Sequence, residues 1–280
     1  MPDTAADARR TVVDLSRRLG DPAADLVILG EGNTSVALPD GSFLVKASGA
    51  SLNRAVEDDF VRLDRAAVLS LVADCSLDEF DVAGLAGRLR AAGLDGTTRT
   101  PSIETMLHAL ALDLPGAAYV GHTHPTAINA LLCSQGAEDL LAEPLFPDQV
   151  VVCGRHTLFV PYAEPGLPLA RAVRDGLRRH TDRHGTAPKL IYLGNHGIVA
   201  VGSSAQEVEQ ITAMSVKAAR VLAGTSAAGG PRPLPAASAD RLDRRPDEEH
   251  RRRVLADAGA RPSAARPAEP VGGPTAQALR

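Results

Sequence analysis

Two stretches limit the folds open to this chain more than any other feature. NTSVALPDGSFLVKAS, Asn33 to Ser48, holds two alternating apolar runs joined through Asp40-Gly41, the kind of dipeptide a tight hairpin turn selects. KLIYLGNHGIVAVG, Lys189 to Gly202, is a second apolar pair, broken by Gly194 and Gly197. Hairpins pair antiparallel, and helix-like segments lie around both. The expected architecture is therefore α/β: a single domain with a central, mostly antiparallel sheet flanked by helices.

The remaining pattern fills in that frame. Residues 4–19 have an amphipathic helical period with Val12, Val13, Leu15 and Leu19 on the apolar side, and 57–73 and 78–92 read as helix or helix-like turns. RTPSIETMLHALAL predicts a helix over 101–112, with Pro101 in its first turn and Thr100 as cap. AAYVGHTH predicts a strand running into a helix over 125–132; QVVVCG and TLFVPY predict further strands, and LPLARAVRDGLRRH a helix. SSAQEVEQITAMSVKAARVLAG opens with a capping box, Ser204 and Glu207, and closes at Gly224.

From about Ala223 the composition turns to Ala, Pro, Gly, Arg and Asp, and no aromatic residue follows Tyr192. Such a segment cannot bury enough surface to offset its ordering entropy. The domain is expected over 1–224 and a disordered tail over 225–280, with one short helix around 246–258 at most.

With a net charge of −4, there is no electrostatic reason to expect nucleic acid or an anionic membrane as partner. No window reaches the roughly 18 consecutive apolar residues of a membrane helix. The N-terminal residues lack the apolar core of a signal peptide, and Cys75, Cys133 and Cys153 are an odd number in ordinary contexts. A cytoplasmic protein with reduced thiols is expected.

His122 and His124 are two apart in a predicted strand, so both side chains point to one face and can converge on one ion. His-x-His alone fits two hydrogen-bonded strand residues equally well. A catalytic zinc commonly takes three protein ligands and leaves a position open, and His196, in the glycine-bounded turn of the second hairpin, is the candidate for the third. Glu104 offers a carboxylate near a helix N-terminus, where negative charge is favoured. Two small hydroxyl-bearing loops, GEGNTS and KASGAS, flank the first hairpin, and their backbone amides suit an anion as well as they suit ordinary turns. Ser102 adds a hydroxyl at the helix start.

Taken in order, Gly-Asn-Thr-Ser, Ala-Ser-Gly, Pro-Ser-x-Glu-x-x-x-His, His-x-His and Asn-His-Gly resemble the class II aldolase/adducin family over about residues 5–224. That family includes fuculose- and rhamnulose-phosphate aldolases and ribulose-phosphate 4-epimerases. The loops look closest to the aldolase part of bifunctional rhamnulose-phosphate aldolase/dehydrogenases, without the dehydrogenase part.

The resemblance implies the family's fold and a zinc-dependent aldolase acting on a small ketose phosphate through an enediolate of dihydroxyacetone phosphate. It implies Zn2+, or another divalent ion such as Mn2+ or Co2+, on His122, His124 and His196. Glu104 would be the acid/base and a ligand of the resting metal. Gly32, Asn33, Ser48, Gly49 and Ser102 would hold the phosphate. A homotetramer with active sites between subunits is implied as well.

Two positions depart from the pattern. Ile103 stands where fuculose-phosphate aldolases have a second serine, and Lys46 near the cradle is a candidate to compensate. The loop AEPLFPDQV carries no tyrosine to act on the aldehyde side, leaving Asp148 and Tyr162 as candidates. A pentulose-phosphate epimerase, a decarboxylase or dehydratase, and a non-catalytic adducin-like module are the alternatives.

Overall fold

The computed structural model describes residues 4–247. In chain order it runs α1 (Ala5–Leu19), β1 (Asn33–Ala37), β2 (Ser42–Lys46), β3 (Phe60–Asp64), α2 (Arg65–Ala73), α3 (Val82–Ala91), α4 (Thr105–Leu112), β4 (Tyr119–Thr123) and α5 (Thr126–Leu132). It continues through α6 (Ala137–Leu141), α7 (Pro147–Cys153), β5 (Leu158–Val160), α8 (Leu167–His184), β6 (Leu190–Leu193), β7 (Gly197–Gly202), α9 (Ala205–Thr225) and α10 (Ala236–Asp243).

The strands form one seven-stranded sheet in the order β3-β2-β1-β4-β7-β6-β5. All neighbours are antiparallel except β5 and β6. Both predicted hairpins are present, β1–β2 and β6–β7. Helices cover both faces. On one, α1, α5 and α9 pack over a core containing Val12, Leu15, Val36, Leu44, Ile198 and Val208. On the other, α2, α4 and α8 cover Phe43, Val45, Met106, Val120, Val173 and Val199. β1 and β2 are buried along their whole length, so a one-residue slip would exchange the residues offered to the two cores; that fixes their register.

Within the domain expected over 1–224, the structure departs from the sequence expectations in four places. Phe60–Asp64, read as helical, is the edge strand β3, paired with β2 through Phe43 and Leu63. QVVVCG, read as a strand, is helix α7: Pro147 sets its first turn, Gly154 at φ 87 closes it, and Val150, Val151 and Cys153 are buried, the helix packing against α9. Packing there overrides the strand preference of three valines. The helix expected from Pro101 begins only after Glu104, because Pro101 bridges to Ala47 and the Thr100 carbonyl accepts from Ser48 N–H. Of the capping box, Ser204 accepts from Glu207 N–H as expected, but the Glu207 carboxylate turns to Ser203 and Lys189.

The stretch after residue 225, expected to lack structure, carries α10. Arg155, mostly buried, donates to Asp240 at 2.8 Å and to Glu143 at 2.9 Å, and Ala239 is fully buried. An apolar count misses a segment held by one buried arginine. The helix expected at 246–258 lies, apart from its first two residues, outside the described residues. Among the described residues no helix is long and apolar enough to cross a membrane.

Candidate metal centre

The sheet places the two hairpins and β4 side by side, and this brings the predicted ligands together. Asn33 in β1 pairs with His122 in β4, and His122 pairs with Val199 in β7. His122 is fully buried at the end of β4, and His124 follows where the chain leaves the sheet. His196 sits in the β6–β7 turn beside Asn195, which takes the left-handed φ of 54° that asparagine tolerates. Glu104 caps α4 and points from the face beneath β4.

Side-chain nitrogens of His122, His124 and His196 lie within 4.8 Å of one another. Nε2 of His124 is 3.0 Å from Nε2 of His122. Glu104 Oε1 is 3.1 Å from His196 Nε2, and its Oε2 is 3.6 Å from His122 Nε2. Ligands 2.0–2.1 Å from a tetrahedral zinc stand about 3.3–3.4 Å apart, and the His122–His124, Glu104–His196 and Glu104–His122 separations lie near that value.

The tautomers agree with that use. His122 Nδ1–H donates to the Ile198 carbonyl at 2.8 Å, which leaves the Nε2 lone pair turned inward. Burial pushes His124 down to about 3, and the charges of His122 and His196 press in the same direction. Burial also opposes ionisation of Glu104, but His122 and His196 outweigh it and hold its carboxyl far below the usual range. For His122 burial lowers the proton affinity, and Glu104, with the Ile198 carbonyl and Glu31, more than restores it. Three imidazole nitrogens with a carboxylate beside them are the donor set that a divalent cation such as zinc takes, so the residues fit a metal.

Two glycines let the backbone close around the histidine cluster. A Cβ on Gly197 would lie 2.5 Å from the Thr123 carbonyl oxygen and 2.7 Å from Cδ2 of His124. On Gly32, at φ 73°, it would meet the His122 carbonyl oxygen at 2.8 Å. His108, four residues after Glu104 in the sequence, is fully buried and bonds Ser35 Oγ through Nδ1 at 2.8 Å. Asn129, which the sequence gave no reason to single out, donates to the His196 carbonyl at 3.0 Å and braces that turn.

The remaining candidates lie outside this cluster. Asn33 is buried, its Oδ1 accepting from Thr34 N–H at 3.0 Å. Ser48 and Gly49 form the exposed loop that follows β2, tied to Thr100, and Ser102 Oγ accepts from Glu104 N–H at 3.2 Å. Lys46 is buried and donates to the Ala50 carbonyl at 2.5 Å, so it shapes the Ser48–Gly49 loop from behind. Tyr162 is exposed, its backbone passing Gly194 beside the His196 turn. Asp148 lies in the first turn of α7, whose neighbours are α9 and α10.

Two cavities adjoin here. One of about 530 Å³ is lined by Gly30, Gly49, Ser51 and Arg54, and another of about 400 Å³ by Glu31, His124, Asn129 and Cys133. Asp25, Val27 and Ile28 line both.

The model of the Class II Aldolase and Adducin N-terminal domain matches residues 10–223. An uncharacterised oxidoreductase of Bacillus subtilis, YuxG, is 27% identical over 191 residues; the match covers 65% of this chain but only 25% of YuxG. A 3-oxo-tetronate 4-phosphate decarboxylase of Escherichia coli is 30% identical over 177 residues, covering 63% of this chain and 68% of that protein. Among solved structures, YgbL of Klebsiella pneumoniae superposes with a TM-score of 0.64 at 24% identity, covering 85% of this chain and 99% of its own. An L-fuculose 1-phosphate aldolase superposes with a TM-score of 0.63 at 18% identity, covering 86% and 96%.

Proposed function

The chain belongs to the class II aldolase and adducin family, and on that premise we propose that it is a metal-dependent lyase that breaks or forms a C–C bond in a small sugar phosphate. The observation that carries the reading is the approach of Glu104 to His196 and His122 at the mouth of a three-histidine cluster. His122, His124 and His196 would hold Zn2+, Mn2+ or Co2+. Bound there, the cation supplies a Lewis acid for adjacent carbonyl and hydroxyl oxygens of the substrate.

The chain's own residues do the rest. Glu104 is tethered by its own N–H to Ser102 and reaches the cluster from the side. In bond formation it takes a proton from the reacting carbon, and in cleavage it returns one. Loop amides around Gly32 and Gly49, with Ser48, Ser102 and Asn33, would hold the phosphate. Lys46, buried behind the Ser48–Gly49 loop, adds positive charge without touching the solvent. The proposed partner is a ketose phosphate that yields dihydroxyacetone phosphate, and the proposed assembly is a cytoplasmic homotetramer.

A second reading has an observation of its own. Aldol cleavage needs a group to take the hydroxyl proton of the fragment that leaves as an aldehyde. The loop around Phe146 and Asp148 offers no tyrosine for it. Decarboxylation needs no such group, because the fragment leaves as CO2, and a relative is named a 3-oxo-tetronate 4-phosphate decarboxylase.

One assay separates the two. Metal-loaded protein is incubated with ketose phosphates and with phosphorylated 3-oxo acids, and aldehyde, CO2 and dihydroxyacetone phosphate are followed. Aldehyde release supports the aldolase, CO2 release the decarboxylase, and neither product from any substrate rejects the lyase. Light scattering at the mass of one chain would reject the tetramer.

A further inference from the structure

Each metal-binding imidazole needs something to orient the ring nitrogen turned away from the ion, usually a carbonyl or a carboxylate. His122 has the Ile198 carbonyl. For His124 the inward atom is Nε2, and its Nδ1 faces Glu31, whose Oε1 lies 3.7 Å away. We propose that Glu31 is a positioning residue for His124, the carboxylate that fixes this ligand's ring and tautomer in the centre. The inference rests on the metal-dependent reading above.

The loop carrying Glu31 is built to deliver it. Glu31 Oε2 accepts from Ile28 N–H at 3.0 Å, and Glu31 N–H donates to the Ile28 carbonyl at 3.0 Å, so the carboxylate is anchored at one oxygen and free at the other. Between them Leu29 takes φ 52°, the left-handed region a leucine rarely occupies, with its side chain 87% exposed. Side-chain burial does not account for that backbone; the turn that aims Glu31 does. The loop is also fastened to the metal-binding segment. His124 N–H donates to the Leu26 carbonyl at 2.8 Å, and Thr126 Oγ1 donates to Asp25 at 2.8 Å. Asp25, the other acid of that cavity, is thus already engaged, whereas Glu31 Oε1 faces the imidazole. At 3.7 Å the carboxylate oxygen and the imidazole nitrogen are at ion-pair distance.

Glu31→Gln separates this role from loop stitching. Its amide oxygen still accepts from Ile28 N–H, but the amide NH2 then confronts Nδ1–H, donor against donor. The full-length chain, stripped of metal, is titrated with Zn2+ against a chromophoric chelator, and the Co2+ form is examined by visible absorption. Expected are a dissociation constant 10–100 fold higher than in the unsubstituted protein, altered Co2+ bands, and an unchanged melting temperature of the metal-free protein. A dissociation constant within twofold overturns the inference. So does weakened binding matched by a lower metal-free melting temperature, which would assign Glu31 to the loop alone. Absence of metal binding in the unsubstituted protein would defeat the proposed function itself, and this inference with it.

Discussion

Glu104 Oε1 stands 3.1 Å from Nε2 of His196, although one residue caps a helix and the other turns a hairpin on the far side of β4. That contact joins the proposed proton-transfer group to a proposed metal ligand, and the two roles come apart on substitution. Glu104→Gln should keep the metal, measured by elemental analysis, and lower turnover by about 10²–10⁴ fold, the usual contribution of a positioned acid or base. Turnover near that of the unsubstituted protein would remove Glu104 from the chemistry.

His196→Ala takes one nitrogen from the three-histidine set. Metal content after dialysis should fall from near one per chain towards zero, with the fold retained by circular dichroism. Full occupancy would mean that the ion sits elsewhere.

Gly197→Ala tests the room left for His124. Its new methyl group would meet backbone oxygen and the imidazole at once, and the backbone oxygen cannot swing away. A loss of roughly 1–3 kcal/mol in chemical denaturation is expected, with weaker metal binding. An unaltered midpoint would contradict the packing described.

Acid should weaken the metal-free fold through His108. Burial pushes this side chain from 6.5 down to about 3, helped by the charge on His122. The unfolded chain therefore takes up the proton first as pH falls. Stability from neutral His108 is complete above about pH 6.5 and declines towards pH 3, by up to about 1.4 kcal/mol per pH unit. Melting temperatures between pH 6 and 4 should fall less steeply in His108→Gln than in the unsubstituted chain; equal slopes would exclude His108 as a source.

Removing α10 tests the boundary of the folded unit. A chain ending at residue 228 loses Asp240 and Ala239 from around Arg155, and it should melt several degrees below one ending at residue 247. Identical melting would mean that α10 adds nothing to stability.

The sequence displayed the centre better than its surroundings. His122, His124, His196 and Glu104 are chemically distinctive side chains in an ordered set of short motifs, and the structure brings all four together. What supports them left weaker marks. The Ile198 carbonyl that orients His122 is backbone and has no sequence signature. Glu31 lies within GEGNTS, a loop whose residue pattern did not single it out, and its aim depends on the turn at Leu29. Elements were misread where tertiary contacts outweigh local preference: the valines of α7, the short edge strand β3, and α10 with its single buried anchor.

β1 joins three separate requirements in consecutive residues. Asn33 lies opposite His122, Thr34 meets Ser16 of α1 on one side, and Ser35 meets His108 of α4 on the other. An inserted or deleted residue within this strand would break all three at once, whereas one added at the exposed Asp40–Gly41 turn would disturb none. Length variation among sequences of this kind should therefore accumulate at the hairpin tip and be excluded from the strand. For anyone grafting a label or a new binding loop onto the protein, the permissive position is that tip, at the end of the hairpin away from Asn33.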